Sequence, residues 1–309
     1  MGKIAFVFPG QGSQQVGMGR AAAEVDAGRD VFARADQALG DSLSRLCFEG
    51  PAADLQLTAN AQPAILTTSI ALWRILDRPC DVTAGHSLGE YSANVAAGTL
   101  EFEAAVALVR KRGRYMQEAV PVGVGAMAAV LGAEAAVVER ICSETPGIVS
   151  PVNYNCPGQL VIAGEKAAVA QASAAIASAG GKVKDLPVSA PFHCALMEPA
   201  EQRLTPDLKA AAFRDPRLPL YINVDAVPVT NGAAACDALI RQVSRPVRWQ
   251  QSVERMLEDG VSLFVEIGPG KVLAGLIKRI NKDADRCNIE TPADIDAARA
   301  AIAKHSPAG

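Results

Sequence analysis

One serine in the chain has surroundings suited to nucleophilic chemistry. Gly85-His86-Ser87-Leu88-Gly89 has the spacing GxSxG. Alone, that pattern is a weak signal. Its context strengthens it, because Asp81-Val-Thr-Ala-Gly85 reads as a short strand and the small-residue segment Leu88 to Ala97 reads as a helix closed by Gly98. Strand, sharp turn and helix in that order form a nucleophile elbow. The turn lifts the hydroxyl off the sheet, and the helix N-terminus favours developing negative charge. The competing reading is a serine that N-caps an ordinary helix.

A serine hydroxyl needs a base. The chain has three histidines. His86 adjoins Ser87, and neighbouring side chains near a strand end diverge. His305 lies in an Ala-rich segment far along the chain. His193, in Ser189-Ala-Pro-Phe-His-Cys194, is left as the candidate base. Asp185 is the only aspartate between Ser87 and His193, and it falls in a separate predicted unit, so no acid partner is evident. A backbone carbonyl can hold the imidazole Nδ1–H instead. A Ser–His dyad is therefore expected rather than a triad.

A predicted helix over 101–119 carries an unusual cation. Phe102, Ala105, Val106, Val109, Gly113 and Met116 share one arc at 3.6 residues per turn. Arg110, Lys111 and Arg114 lie opposite, with Glu103 and Glu118, as solvated charges. Arg112 falls instead among Ala105, Leu108 and Met116. A guanidinium stays charged, so in apolar company it wants an anion. Two candidates stand open: a buried glutamate in a structural ion pair, or a substrate carboxylate held bidentately.

The elements that position these residues read as an α/β fold. Ile4 to Phe8 is a buried strand ended by Pro9-Gly10, with the polar loop Gly10 to Gln15 after it. Residues 29–78 are mostly helical, with breaks predicted at Gly50-Pro51 and Gln62-Pro63. From Gly123 the rhythm becomes strand, helix, strand, strand, helix, strand up to Val188. That is the split βαβ order of a ferredoxin-like unit, placed at 124–189 as an insertion in a core of 1–123 and 190–309. Leu218 to Val224 and Ser262 to Ile267 are further core strands. The segment after Asn281 is expected to be peripheral.

Composition narrows the function classes. The 309 residues are half hydrophobic and one-fifth charged, which suits a packed core. A net charge of −3 argues against a general nucleic-acid or acidic-membrane binder. Seven cysteines without a CxxC fit free thiols in a reducing, cytoplasmic setting rather than disulfides or zinc. No apolar run is long enough to span a membrane. Gly268-Pro-Gly-Lys271 lacks the P-loop spacing, and the glycines at 10 and 12 lack the third glycine of a dinucleotide fingerprint. No cofactor or metal is expected.

Five co-linear segments carry a family resemblance: Phe8-Pro-Gly-Gln-Gly-Ser-Gln14, Gly85-His-Ser-Leu-Gly-Glu-Tyr91, Arg112-Gly-Arg-Tyr-Met-Gln-Glu118, Ala190-Pro-Phe-His193 and Val265-Glu-Ile-Gly-Pro-Gly-Lys271. Over about residues 3–281 the chain resembles the acyltransferase family of fatty acid and polyketide synthesis, in its malonyl-CoA:acyl-carrier-protein transacylase branch. The resemblance implies an α/β-hydrolase-like core with a ferredoxin-like insertion. It implies that Ser87 carries a malonyl ester, that His193 is the base and that Arg112 binds the malonyl carboxylate. It further implies an oxyanion hole from the N–H groups of Gln11 and Leu88, and a cleft lined by Gln62, His86, Asn155 and Phe192. A main-chain carbonyl near Pro246-Val-Arg-Trp249, assigned to Arg248, would hold the histidine. The implied partners are malonyl-CoA and an acyl carrier protein, with no nucleic acid or membrane, for a monomeric enzyme. A cationic rim for an acidic carrier protein has two candidates: Arg110, Lys111 and Arg114, or Lys278, Arg279 and Lys282. The rival functions are a serine hydrolase or thioesterase, which has no need of a buried arginine, and a non-catalytic carrier-protein docking module.

Overall fold

The short apolar runs of the sequence become strands of two sheets. A computed structural model describes residues 2–188 and 190–305. In chain order the strands are β1 (Lys3–Phe8), β2 (Val82–Gly85), β3 (Gly125–Leu131), β4 (Val149–Cys156), β5 (Gln159–Glu165), β6 (Lys182–Asp185), β7 (Leu220–Tyr221), β8 (Pro228–Val229), β9 (Val261–Ile267) and β10 (Asp285–Ile289). The main sheet has the order β10-β9-β1-β2-β7-β8 and is parallel except for the β7–β8 edge. Ile4 to Phe8 is buried without alternation, as expected of a parallel strand covered on both faces. β1 and β2 run side by side, pairing Phe8 with Gly85. The loop at 9–15 and the serine turn therefore leave the same carboxyl edge of the sheet, where open α/β sheets place their sites.

The second sheet, β4-β5-β3-β6, is antiparallel throughout. Helices Ala135–Glu144 and Lys166–Ser178 bury Val138, Ile141, Ala172 and Ile176 against it in a separate core. The chain order βαββαβ follows the predicted rhythm, and the proposed boundary at residue 189 lies outside the described residues. Main-chain bonds tie the second sheet to the segment before the helix Trp249–Glu258: Val247 N–H donates to Val152 O at 2.8 Å, and Tyr154 N–H donates to Val247 O at 2.9 Å.

Three local expectations need correction. No break occurs at Gln62-Pro63, because one helix runs over Thr58–Leu76 with Pro63 inside it. A buried internal proline costs about 3 kcal/mol. Here almost the whole helix from Ala61 to Leu72 is buried, and that packing offsets the cost. The strand predicted over 218–224 is only Leu220–Tyr221. Beyond it the chain turns back on itself through Ala226, at φ 55°, and Asn223 is freed from the ladder to serve the serine turn.

The third correction concerns the segment after Asn281. It is not peripheral. β10 pairs in parallel with β9, and the helix Ile295–His305 buries Ile295, Ala298 and Ile302 in the main core. Asp285–Ile289 is an edge strand, exposed at Asp285 and fully buried only at Ile289, and the Ala- and Asp-rich composition around it conceals it. Ile289 is fully buried. Ile289→Ala should therefore destabilise the protein by about 2–5 kcal/mol, read as a fall in melting temperature. An unchanged melting temperature would return the segment to the periphery.

Candidate active site

Ser87 sits at the turn after β2, in the left-handed region at φ 52°. A residue with a Cβ pays about 1–2 kcal/mol there. The conformation is held by hydrogen bonds to its own peptide groups. Ser87 N–H donates to Asn223 Oδ1 at 2.7 Å, Asn223 Nδ2 donates to Gly85 O at 2.7 Å, and Gln242 Nε2 donates to Ser87 O at 2.9 Å. The following helix, Gly89–Ala97, starts against the end of β1. A Cβ at Gly89 would lie 2.0 Å from Phe8 O, so only glycine allows that approach.

His193 also has a positive φ, 64°, and is buried. Its Nε2 lies 2.7 Å from Ser87 Oγ and its Nδ1 lies 2.8 Å from Gln242 O. A carbonyl only accepts, so the proton is on Nδ1 and the Nε2 lone pair faces the serine hydroxyl. Burial pushes the imidazole down to about 3, the Arg112 charge pushes the same way, and the Gln242 carbonyl opposes both. At neutral pH the ring is an uncharged acceptor.

The carbonyl that holds His193 is thus Gln242, and the assignment to Arg248 is corrected. The reason lies in helix ends. Gln242 closes the helix Gly232–Arg241, where terminal carbonyls lack an intrahelical donor and are free to accept from elsewhere. Arg248 opens the next helix, Trp249–Glu258, and its carbonyl already accepts from Ser252 N–H and Ser252 Oγ.

Arg112 lies in the helix Phe102–Glu118, on its buried face, and is 1 % exposed. Its Nη1 donates to Gln62 Oε1 at 2.9 Å, and its Nη2 donates to Gln242 Oε1 at 2.9 Å and to Ser87 Oγ at 3.2 Å. Tyr91 presents its ring 5.6 Å from the guanidinium carbon. Its Nε has no partner among the described residues. Every group that touches the guanidinium is neutral. Among the described residues no carboxylate forms an ion pair with it, so the structural ion pair considered from sequence has no partner.

The remaining predicted residues divide. His86 turns away from Ser87, as expected; its Nε2–Asn155 Oδ1 distance is 2.9 Å, and Trp249 lies beside its ring, 5.9 Å between centroids. Burial lowers its pKa, so this link between the two sheets is between neutral groups. Leu88 is buried at the N-cap of the helix after Ser87, and Phe192 is buried next to His193. Gln11 lies on the exposed loop after β1, its side-chain amide donating to Thr58 Oγ1 at 3.3 Å. That loop passes close to the elbow, since a Cβ at Gly10 would lie 2.6 Å from His86 O. The first proposed cationic rim is largely spent on internal partners: Arg110 pairs with Asp41 and Lys111 with Asp207, while Arg114 lies over Tyr115.

Sequence reasoning missed Asn223, Gln242 and Glu90. Glu90 stood inside the quoted motif, and the single charged residue of the helix Gly89–Ala97, three positions after the elbow serine, was a usable signal. Asn223 and Gln242 gave none, since each is one amide in an ordinary segment. Assembled, the site pairs a serine with a neutral imidazole and places an anion-seeking guanidinium alongside. That suits acyl transfer with an acyl group bearing negative charge.

Comparison with known proteins agrees with this chemistry. Residues 5–297 match the acyl transferase domain family. The malonyl CoA-acyl carrier protein transacylase of Escherichia coli (strain K12) is 51 % identical over 288 residues, covering 91 % of this chain and 93 % of that protein. The crystal structure of an acyl carrier protein S-malonyltransferase from Vibrio cholerae superposes with a TM-score of 0.94 at 46 % identity, covering 96 % of this chain and 99 % of that one. A malonyl-transacylase solved in complex with its type II PKS acyl-carrier protein superposes with a TM-score of 0.93 at 44 % identity, over 96 % of this chain and 98 % of that one. The chain belongs to the acyl transferase domain family.

Proposed function

We propose that this protein transfers a malonyl group from malonyl-CoA to the phosphopantetheine thiol of an acyl carrier protein, through a malonyl ester on Ser87. One observation carries the reading: Arg112, buried and touched only by neutral groups, lies 3.2 Å from Ser87 Oγ. An acyl chain on that oxygen which ends in a carboxylate supplies the missing anion. The relatives named as malonyl transacylases, and the one solved with its carrier protein, support the donor and the acceptor.

The steps follow from the geometry. His193 Nε2 takes the Ser87 proton as Oγ attacks the thioester carbonyl. The tetrahedral oxyanion is met by the N–H groups of Gln11 and Leu88, each worth about 3–4 kcal/mol by comparison with other oxyanion holes. The C–S bond breaks, and the imidazolium returns its proton to the departing CoA sulfur. An imidazole with a pKa near 3 makes a strongly acidic imidazolium, well able to protonate a thiolate. The carrier-protein thiol then repeats the sequence on the malonyl ester, with His193 again as base. In this reading residues 1–123 and 190–309 are the acyltransferase core. Residues 124–189 are a small subdomain that brings Asn155 to the cleft wall beside His86, and Gln62 and Phe192 complete the pocket.

Two outcomes test the reading. In competition between malonyl-CoA and acetyl-CoA, Arg112→Ala should lose malonyl transfer by on the order of 100-fold or more and keep or gain acetyl transfer, because a deleted clamp no longer penalises a neutral acyl group. Retained malonyl preference would refute it. The second concerns His193, whose lowered pKa leaves the base form present at every pH above about 3. The rate of Ser87 acylation at saturating donor should therefore hold level as pH falls from about 7.5 to about 5.5. An ordinary imidazole would lose activity around 6.5, and a decline centred there would contradict the assignment.

A further inference from the structure

Arg112 does have a carboxylate near it, though not in contact. Glu90 is fully buried in the first turn of the helix after Ser87. Its Oε2 accepts from Gln242 Nε2 at 2.8 Å and from Asn223 N–H at 2.9 Å, and its Oε1 has no partner among the described residues. Gln242 spans the gap. Its amide nitrogen faces Glu90 and the Ser87 carbonyl, and its amide oxygen faces Arg112. Only one orientation of that amide satisfies a guanidinium on one side and two acceptors on the other, so cation and carboxylate together fix it.

We propose that Glu90 is a positioning residue that tempers Arg112 through the Gln242 amide, setting how tightly the guanidinium holds an acyl carboxylate. The inference rests on the reading of Arg112 given above. Direct contact would turn Arg112 into a closed ion pair with no site for substrate. One amide of separation leaves the guanidinium open and still lowers the positive potential an incoming carboxylate meets. That suits a transferase, because an acyl group bound too firmly to Arg112 resists being handed on.

The surroundings make the charge on Glu90 adjustable. Burial pushes its carboxyl up to about 7, opposed by the Gln242 and Asn223 hydrogen bonds and then by Arg112 and Arg241. The charges acting on it come from Arg112 on the helix Phe102–Glu118 and Arg241 on the helix Gly232–Arg241. Tyr91, on its own helix, is raised out of the titrating range by burial. Of the strands packed against that helix, β2 has no titratable side chain, β7 offers only Tyr221, bonded to Asp259, and β1 only Lys3, at its far end. The one charged side chain of the helix Thr58–Leu76 is Arg74, over Trp73. His193 is reached through the Gln242 carbonyl and stays neutral.

The test compares the wild type with Glu90→Gln, which keeps the shape and the double acceptor but carries no charge. Ser87 acylation is measured with malonyl- and acetyl-N-acetylcysteamine thioesters, which lack the phosphates of CoA that titrate in the same range. At pH 8, Glu90→Gln should lower KM for the malonyl thioester by about three- to tenfold relative to that for the acetyl thioester. In the wild type the malonyl KM should rise between about pH 6 and pH 8 as Glu90 ionises, and the variant should stay at the low value throughout. An unchanged malonyl KM, or equal changes for malonyl and acetyl donors, would overturn the proposal. If the variant does not fold, the wild-type profile decides: a rise confined to the malonyl donor supports the proposal, and no rise overturns it. Arg112→Ala serves as control. If it abolishes malonyl preference while Glu90→Gln changes nothing, only the Glu90 proposal falls; if malonyl preference survives it, the reading of Arg112 falls as well.

Discussion

A guanidinium taken out of water with no anion in contact loses several kcal/mol of hydration that neutral hydrogen-bond acceptors only partly restore. Arg112 is in that position, and much of the site is arranged around it. Gln62 and Gln242 supply amide oxygens, Tyr91 a ring face and Ser87 a hydroxyl. None of them is charged. The cation is therefore held in place with no carboxylate in contact, beside the atom where an acyl group would be attached. Selectivity for a carboxylated acyl chain and tolerance of the empty site pull in opposite directions, and the neutral amides are the compromise.

Gln242 joins these demands in one residue. Its main-chain carbonyl sets the tautomer of His193, its side-chain oxygen holds Arg112, and its side-chain nitrogen steadies the strained peptide of Ser87. The dyad thus needs no acid. An ionised carboxylate on Nδ1 would raise the imidazole pKa, whereas a carbonyl fixes its orientation and leaves it neutral. Strain shows in the backbone too, since Ser87 and His193 both have positive φ, the Ser87 peptide being held by Asn223 and Gln242 and the His193 ring by the Gln242 carbonyl.

What the sequence made legible was whatever depends on local order. The elbow follows from an apolar run, two glycines and a small-residue helix, all adjacent. Arg112 was found because one cation on an apolar helical arc breaks a 3.6-residue pattern. The inserted sheet showed itself by a change of rhythm and a Pro-Gly turn. The rest depends on contacts between distant segments. Nothing near residue 242 signals that its carbonyl meets a ring at position 193, and the nearby Arg248 motif drew the assignment to a carbonyl that its own helix had already used. β10 was overlooked because an edge strand needs little apolar sequence, and Asp285–Ile289 buries only Ile289. Pro63 misled because local propensity was outweighed by continuous burial of its helix from Ala61 to Leu72.

The central claim is that the guanidinium of Arg112 receives the carboxylate of the acyl group on Ser87. The most direct measurement is a crystal structure of the malonyl-Ser87 form, trapped by soaking crystals with malonyl-CoA in the absence of acceptor. The account predicts a bidentate pair, with both carboxylate oxygens about 2.7–2.9 Å from guanidinium nitrogens. A malonyl group directed toward solvent, with Arg112 still bonded only to Gln62 and Gln242, would contradict it.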